Sequence, residues 1–554
     1  MKLLLFLLRI SRGIVAFAVL IGIVAGASSA GLIATINTRL GNSDLSSSGI
    51  AWFFALLVAM VLAANVTSQL VSTRLSQRTI FDLRMRLSRQ VLAAPLRQLE
   101  EIGAHRILAT LTEDVPVVAS AILSIPSLCI NAATLVVCLI YLGWLSKSLL
   151  VGMLVFVILG AVIYQLMVMK ALTWIRLARK EQNDLMGHYR ALTDGAKELR
   201  LHKDRRKAFL AQVLEPTALS FRRHVIIGNA LYTAGGVWST LMFYVFIGLL
   251  LFMLPGVEQV SRETLTGYTL TVLYVLGPLA GILGTLPALG RARVSLQQVE
   301  SLGLSLTGAG VERETDSSPR PSAAWRRLQL TNVTHSYHRE AEDNSFLLGP
   351  IDMTFRPGEA VFLVGGNGSG KTTLAKLLTG LYEPETGEIR LDGQLITDEN
   401  RERYRQHFSA IFSDFYLFES LLGLVSPDLD AQARAYLIKL QLDHKVEVRD
   451  GLLSTTELSY GQRKRLALLT AYLEDRPFYV FDEWAAGQDP FFKEIFYTQL
   501  IPELKGRGKA VLIISHDEKY FHIADRIIKL DSGKLDSTAK TETQSSILCE
   551  VSNF

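Results

Sequence analysis

Only three cysteines occur in 554 residues, and two of them, Cys129 and Cys138, lie inside one apolar stretch. A disulfide framework and a Cys-rich metal site are both excluded, which leaves these thiols as packing residues. Charge is missing where an ion-coupled carrier would need it. The first 300 residues hold six long intervals free of Asp, Glu, Lys and Arg, and His224, at the edge of one, is their only imidazole. Proton- and ion-coupled carriers bury a titratable relay in their spans, so any transport by this chain draws its energy from elsewhere. A strong net charge is lacking too, the formal value being +5. The basic residues cluster between the apolar intervals rather than on a soluble face, so no nucleic-acid partner is expected.

What is present is apolar: 49% of the residues are hydrophobic and the mean hydropathy is +0.28. Single cores stop growing at about 250–300 residues, so more than one domain is expected. A membrane-spanning helix needs about 20 consecutive apolar residues, because lipid solvates neither charges nor open backbone groups. The charge-free intervals predict six spans, at about 13–38, 48–73, 117–143, 148–169, 225–254 and 265–288, within an all-α membrane domain covering residues 1–304. Core helices of a soluble protein would show an amphipathic stripe instead.

The connections set the orientation. The second carries Arg74, Arg78, Arg84, Arg86, Arg89, Arg97 and Arg106, and the fourth carries thirteen Lys and Arg between Lys170 and Arg223. Lys and Arg near span ends favour the cytoplasmic side, which places both connections and both termini there. The two connections are poor in glycine, so the membrane helices are expected to run on past the bilayer. The start, MKLLLFLLRISRG, has the outline of a secretory signal with Gly26–Gly31 as its cleavage site. Cleavage there would remove the first span, so a short interfacial helix is expected instead. Asn65, Asn229, Tyr232, Trp238, Tyr244, Tyr268 and Tyr274 are the polar and aromatic candidates for touching a cargo between the helices.

Residues 305–324, rich in Ser, Gly and Pro, read as a linker, and a soluble α/β domain is expected over 325–554. The short apolar run Ala360–Val364 leads straight into Gly365-Gly366-Asn367-Gly368-Ser369-Gly370-Lys371-Thr372-Thr373 and then a helical stretch. This is a G-x-x-x-x-G-K-[ST] phosphate loop between strand and helix. Its backbone N–H groups close on a β-phosphate, Lys371 supplies charge to the β and γ groups, and Thr372 offers a hydroxyl to Mg²⁺. Downstream, the apolar Phe478–Phe481 ends in Asp482-Glu483. Asp482 is placed to hold Mg²⁺ and Glu483 to polarise the attacking water. ATP and Mg²⁺ are the implied cofactors.

Between these lies Leu458-Ser459-Tyr460-Gly461-Gln462, which resembles the LSGGQ signature of ABC transporters, with Tyr460 in place of a glycine. The resemblance runs along nearly the whole chain and implies a six-helix exporter domain joined to an α/β P-loop nucleotide-binding domain. It implies that Ser459, Gly461 and Gln462 meet the γ-phosphate of an ATP held by another chain, that Tyr337 stacks on adenine, that Asp489 lies in the D-loop and that His516 senses the γ-phosphate. Ser413, in Phe408–Phe418, takes the place of the Q-loop Gln that ligates Mg²⁺, with Asp414 beside it. Residues 94–115 resemble a first coupling segment and 193–206 a second. One loop and one signature per chain imply a homodimer. DEWAAGQDP and FSDFYLF are similar to the bacterial cyclic-peptide exporter group that includes the syringomycin and pyoverdine transporters. This implies a peptide-derived cargo such as a siderophore precursor, lipopeptide or microcin, a seat in the bacterial inner membrane, and room for periplasmic or outer-membrane partners. A lipid or glycolipid flippase of the same architecture is the alternative.

Overall fold

The computed structural model of the protein describes residues 12–41, 47–253, 261–307, 325–337, 346–424 and 426–536. Most of the interfacial stretch at the start, most of the expected linker, and the tail past residue 536 lie outside the described residues. The chain forms two compact units, one of residues 1–86 and 108–301, the other of 87–107 and 302–554.

Among the described residues, six helices are long and apolar enough to cross a membrane. They are carried by α1 (Arg12–Gly41), α2 (Ser47–Ala93), α3 (Val115–Leu145), α4 (Lys147–Asp194), α5 (Glu215–Phe252) and α6 (Arg262–Thr307). Helix α4 alone has 48 residues. With a rise of about 1.5 Å per residue, it reaches about 70 Å, more than twice the hydrocarbon layer of about 30 Å. The charged continuation of α4 past Lys170 has one glycine and no proline, so nothing in it stops the helix. Ser146, in extended conformation, breaks α3 from α4 and its hydroxyl accepts from the Leu149 N–H. Tyr268 closes the same corner: fully buried, it donates to the carbonyls of Leu142 (2.8 Å) and Ser146 (2.6 Å). It is therefore a tie between helices in this structure, not a cargo contact. Asn65 likewise spends its amide on Val61 O of its own helix, whereas Tyr232, Tyr244 and Tyr274 are exposed. Cys138 is buried, Cys129 half-buried, and both thiols are free.

The second unit is built on two sheets. A six-stranded sheet has the order β12 (Lys534–Leu535), β11 (Arg526–Asp531), β3 (Ala360–Val364), β10 (Ala510–Ile514), β9 (Phe478–Asp482) and β6 (Phe408–Ile411), all parallel except β12. An antiparallel sheet runs β2 (Phe346–Phe355), β1 (Leu328–Tyr337), β4 (Thr386–Leu391), β5 (Gln394–Leu395). β7 (Val448–Arg449) and β8 (Leu452–Leu453) form a small hairpin. β3, β9 and β10 are apolar almost throughout because both faces of the parallel sheet are covered. One core gathers Phe362, Tyr472, Phe481, Trp484 and Phe496; the other gathers Leu330, Phe355, Val361, Leu377 and Phe478. The carboxyl ends of β3, β10, β9 and β6 lie side by side, the edge where open α/β sheets bind ligands. Helix α6 continues through Thr307, three residues into the segment read as linker.

Candidate functional site

The loop after β3 turns into helix α7 (Lys371–Leu378) at Gly370, whose φ is +99°. A Cβ there would lie 3.0 Å from a Leu348 methyl carbon, so both conformation and space call for glycine. The Lys371 ammonium folds back and donates to Gly365 O and Gly366 O, each at 2.9 Å. The side chain is only 6% exposed and forms no ion pair among the described residues. Burial pulls its pKa below the ordinary lysine value, and the nearby Glu483 and Asp482 carboxylates offset part of that. Ser369 Oγ is buried with no hydrogen-bond partner among the described residues. A buried cation, an orphan hydroxyl and the N-terminus of a helix together fit a polyphosphate. Asn367 and Gly368 are exposed at the tip of the loop, and Thr373 is half-buried in the first turn of α7. Tyr337 ends β1 in register with Phe346, whose ring comes 3.2 Å from the place a Cβ on Gly370 would take. The strand end that bears Tyr337 thus adjoins the loop.

Asp482, the last residue of β9, accepts from the Thr372 hydroxyl at 2.9 Å. Burial raises its carboxyl above the ordinary value; the Thr372 hydroxyl and the Ser413 backbone N–H work against this, and Glu483 and Asp414 add to it. A buried carboxylate paired with a hydroxyl is a hard-oxygen set that suits Mg²⁺, and a divalent ion would offset the cost of the charge. Ser413 reaches Asp482 through its backbone, while its side chain is exposed. Glu483 follows in the left-handed region, φ +49°, its N–H donating to Ile514 O at 3.1 Å. Its Oε1 lies 3.6 Å from Nε2 of His516, just past β10. Neighbouring parallel strands thus bring Lys371, Thr372, Asp482, Glu483 and His516 to one edge.

A second cluster surrounds helix α8 (Tyr460–Glu474). Ser459 caps it in a box with Gln462, whose side chain accepts from the Ser459 N–H. Gly461 approaches the turn after β9: a Cβ would sit 3.1 Å from Gly487 O. Gln488 bridges Gly461 O and the Arg465 guanidinium. Arg465 pairs with Asp489, which also caps the helix Pro490–Ile495. Among the described residues no hydrogen bond joins Ser459, Gly461, Gln462 or Asp489 to the phosphate loop. Tyr460 is half exposed and stands near Phe415, with its hydroxyl 3.4 Å from Ser413 O.

Two groups escape sequence reasoning. One is Lys464, buried in α8; its signal is a lysine inside an otherwise apolar stripe with Ala467, Leu468 and Ala471. The other is the set of partners taken by Leu96–Ile102, a segment inside the stretch that resembles a first coupling segment and that belongs to the second unit. Glu100 pairs with Lys376 of α7 at 2.7 Å and accepts from the Tyr382 hydroxyl. Arg97 pairs with Glu385 at 3.1 Å, and Glu385 accepts from Ser336, one residue before Tyr337. His335 stacks on Tyr382 at 5.0 Å.

Residues 348–486 match the family model described as ABC transporter, and residues 11–189 the one described as ABC transporter transmembrane region. ATP-binding protein SyrD of Pseudomonas syringae pv. syringae is 37% identical over 95% of this chain and 94% of its own length. The chain belongs to the ABC transporter family. Other ABC transporters similar to it are the ATP-dependent lipid A-core flippases of Alkalilimnicola ehrlichii, 26% identical over 88% of this chain and 84% of the flippase, and of Dechloromonas aromatica, 30% over 52% and 51%. As an ABC transporter with a six-helix membrane region ahead of its nucleotide-binding domain, the protein is a multi-pass membrane exporter that binds ATP and couples its hydrolysis to transport.

Proposed function

We propose that two copies of this exporter move a peptide-derived secondary metabolite across the bacterial inner membrane. The observation that carries the ATP-driven part is the juxtaposition of Thr372 and Asp482 at 2.9 Å beside Glu483 and His516 at 3.6 Å. Lys371 and the loop N–H groups bind and neutralise the phosphates. Thr372 and Asp482 hold Mg²⁺, which supplies charge stabilisation to the departing phosphate when bound. Glu483 accepts a hydrogen bond from the attacking water and polarises it, and His516 fixes the Glu483 carboxylate. Ser459, Gly461 and Gln462 serve the ATP of the other copy, and Tyr337 the adenine. Binding of ATP favours the closed pair, and hydrolysis resets it. The peptide cargo is supported by DEWAAGQDP and by the full-length likeness to SyrD.

A lipid or glycolipid flippase is the second reading, favoured by the relatives named lipid A-core flippases. The test is steady-state ATPase in lipid, wild type against Glu483→Gln, with cyclic peptides, lipidated peptides or lipid A added. Removing a positioned base costs about 10²–10⁴ in rate, so Glu483→Gln is expected to lose at least a hundredfold. Stimulation by peptide supports export of peptides; stimulation by lipid A alone moves the flippase to first place.

A further inference from the structure

Lys464 is 1% exposed, and no carboxylate pairs with it among the described residues. Its ammonium donates instead to two carbonyls of the turn after β9, Glu483 O at 2.7 Å and Ala486 O at 2.9 Å, and faces the Tyr460 ring at 4.9 Å. The bond is returned from the other side, because the Trp484 indole N–H donates to Lys464 O at 2.9 Å. Trp484 is itself buried and stacked on Phe496 at 4.3 Å, so this return bond has a rigid base. Glu483 sits between these fastenings in a backbone conformation that non-glycine residues avoid, and such a conformation lasts only where its surroundings impose it. A buried cation is costly unless it is satisfied, and here the turn itself satisfies it. The same lysine lies five residues after Ser459, on the helix whose first turn carries the signature.

We propose that Lys464 is a positioning residue for ATP hydrolysis, holding the turn that presents Glu483 and tying that turn to the start of the signature helix. The proposal rests on the reading of Glu483 as the group that polarises water. With Lys464 in place, Glu483 O accepts both the Ala486 N–H at 3.1 Å and the ammonium, and its carboxylate stays beside His516. Without it, Ala486 O loses the ammonium, Glu483 O keeps only the Ala486 N–H, and the turn relaxes toward ordinary backbone angles. Lys371 and Thr372 are untouched, so nucleotide affinity stays. Under the two-copy reading, α8 then carries to Glu483 the seating of Ser459 on the other copy's nucleotide.

The experiment compares the full chain in lipid as wild type, Lys464→Met, Lys464→Gln, Glu483→Gln and the double variant Lys464→Met/Glu483→Gln. Methionine keeps length and removes a buried charge, a change proteins often tolerate in stability. Expected for Lys464→Met is a fall in kcat of about tenfold or more with KM for ATP within about twofold and an unchanged nucleotide dissociation constant, which also shows the fold intact. Lys464→Gln, which keeps an N–H donor, is expected to recover part of the rate. The double variant is expected within about twofold of Glu483→Gln alone, since the lysine acts through that residue. A wild-type kcat in Lys464→Met, a loss confined to KM, or losses that multiply in the double variant would overturn the inference alone. Turnover that survives Glu483→Gln overturns the catalytic reading, and the inference falls with it.

Discussion

The two long connections between the membrane helices are alike in secondary structure and unlike in charge and packing. Both resolve into two short helices followed by a single π turn: Leu96–Ile102, Ala104–Ala109 and Thr110–Asp114 in one, Ala196–Leu201, Lys203–Ala208 and Phe209–Leu214 in the other. The first stretch sets Arg97 and Arg106 against Glu100, Glu101, Glu113 and Asp114, whereas the second is rich in Lys and Arg. In the first, Glu100 and Arg97 are bonded to Lys376, Tyr382 and Glu385, and Leu96 packs against the core of the nucleotide-binding unit. In the second, Lys197, Arg200, Lys203, Arg205, Arg206 and Lys207 are exposed without an ion pair among the described residues, and Leu201 is 78% exposed. The connection that docks is the one that brings acids as well as bases, and the basic one stays exposed. The first has Glu100 as an acid able to meet a lysine on the helix that begins with Lys371. The second keeps its cations and an exposed leucine, a surface that a second copy could cover under the two-copy proposal.

The largest effect expected from this contrast comes from Glu100→Lys, which puts like charges against Lys376. ATP turnover in lipid should fall about tenfold, and the swap Glu100→Lys/Lys376→Glu should restore most of it, as a direct pair requires. No restoration would mean that the pair is incidental. Next, Arg205→Ala/Arg206→Ala/Lys207→Ala should lower turnover about threefold at low salt while leaving the melting temperature within about a degree, because exposed charges contribute little to the fold. A drop in melting temperature as large as that of Glu100→Lys would erase the difference between the connections.

The smallest effect is a pH dependence. Burial would raise the Glu385 carboxyl, but the Ser336 hydroxyl and the Arg97 guanidinium outweigh it and hold it below its ordinary value of 4.5. A depressed carboxyl adds stability above its unfolded value and loses it as pH falls through the folded one. The thermal stability gap between wild type and Glu385→Gln should thus be present at pH 7 and shrink below about pH 4.5. A gap that grows on acidification would place the charge elsewhere.

The sequence made the spans legible because charge cannot be hidden in lipid, and the phosphate loop legible because its glycines, Lys371 and Thr372 are contiguous. Asp482 and Glu483 were readable from an apolar strand that ends in acids. The contacts of Lys464 were not, since nothing local says that a lysine in α8 will meet carbonyls nineteen and twenty-two residues on. Nor were the partners of Leu96–Ile102 legible, although the stretch resembles a coupling segment, because they lie almost three hundred residues away. Tyr268 looked like any aromatic in a span until its hydroxyl was placed over the end of α3. Helix α6 runs three residues past the expected start of the linker because Ser305–Thr307 contain no helix breaker, and the linker composition comes from the residues after them.

If hydrolysis at Lys371, Asp482 and Glu483 drives a peptide out of the cytoplasm, sealed inside-out vesicles should show it. The decisive experiment is ATP-dependent uptake of a labelled lipopeptide into such vesicles carrying wild type or Glu483→Gln. Accumulation is expected with wild type and none with the variant, although both bind ATP. Equal uptake by both, or wild-type hydrolysis that moves lipid A and no peptide, would refute peptide export driven by this site.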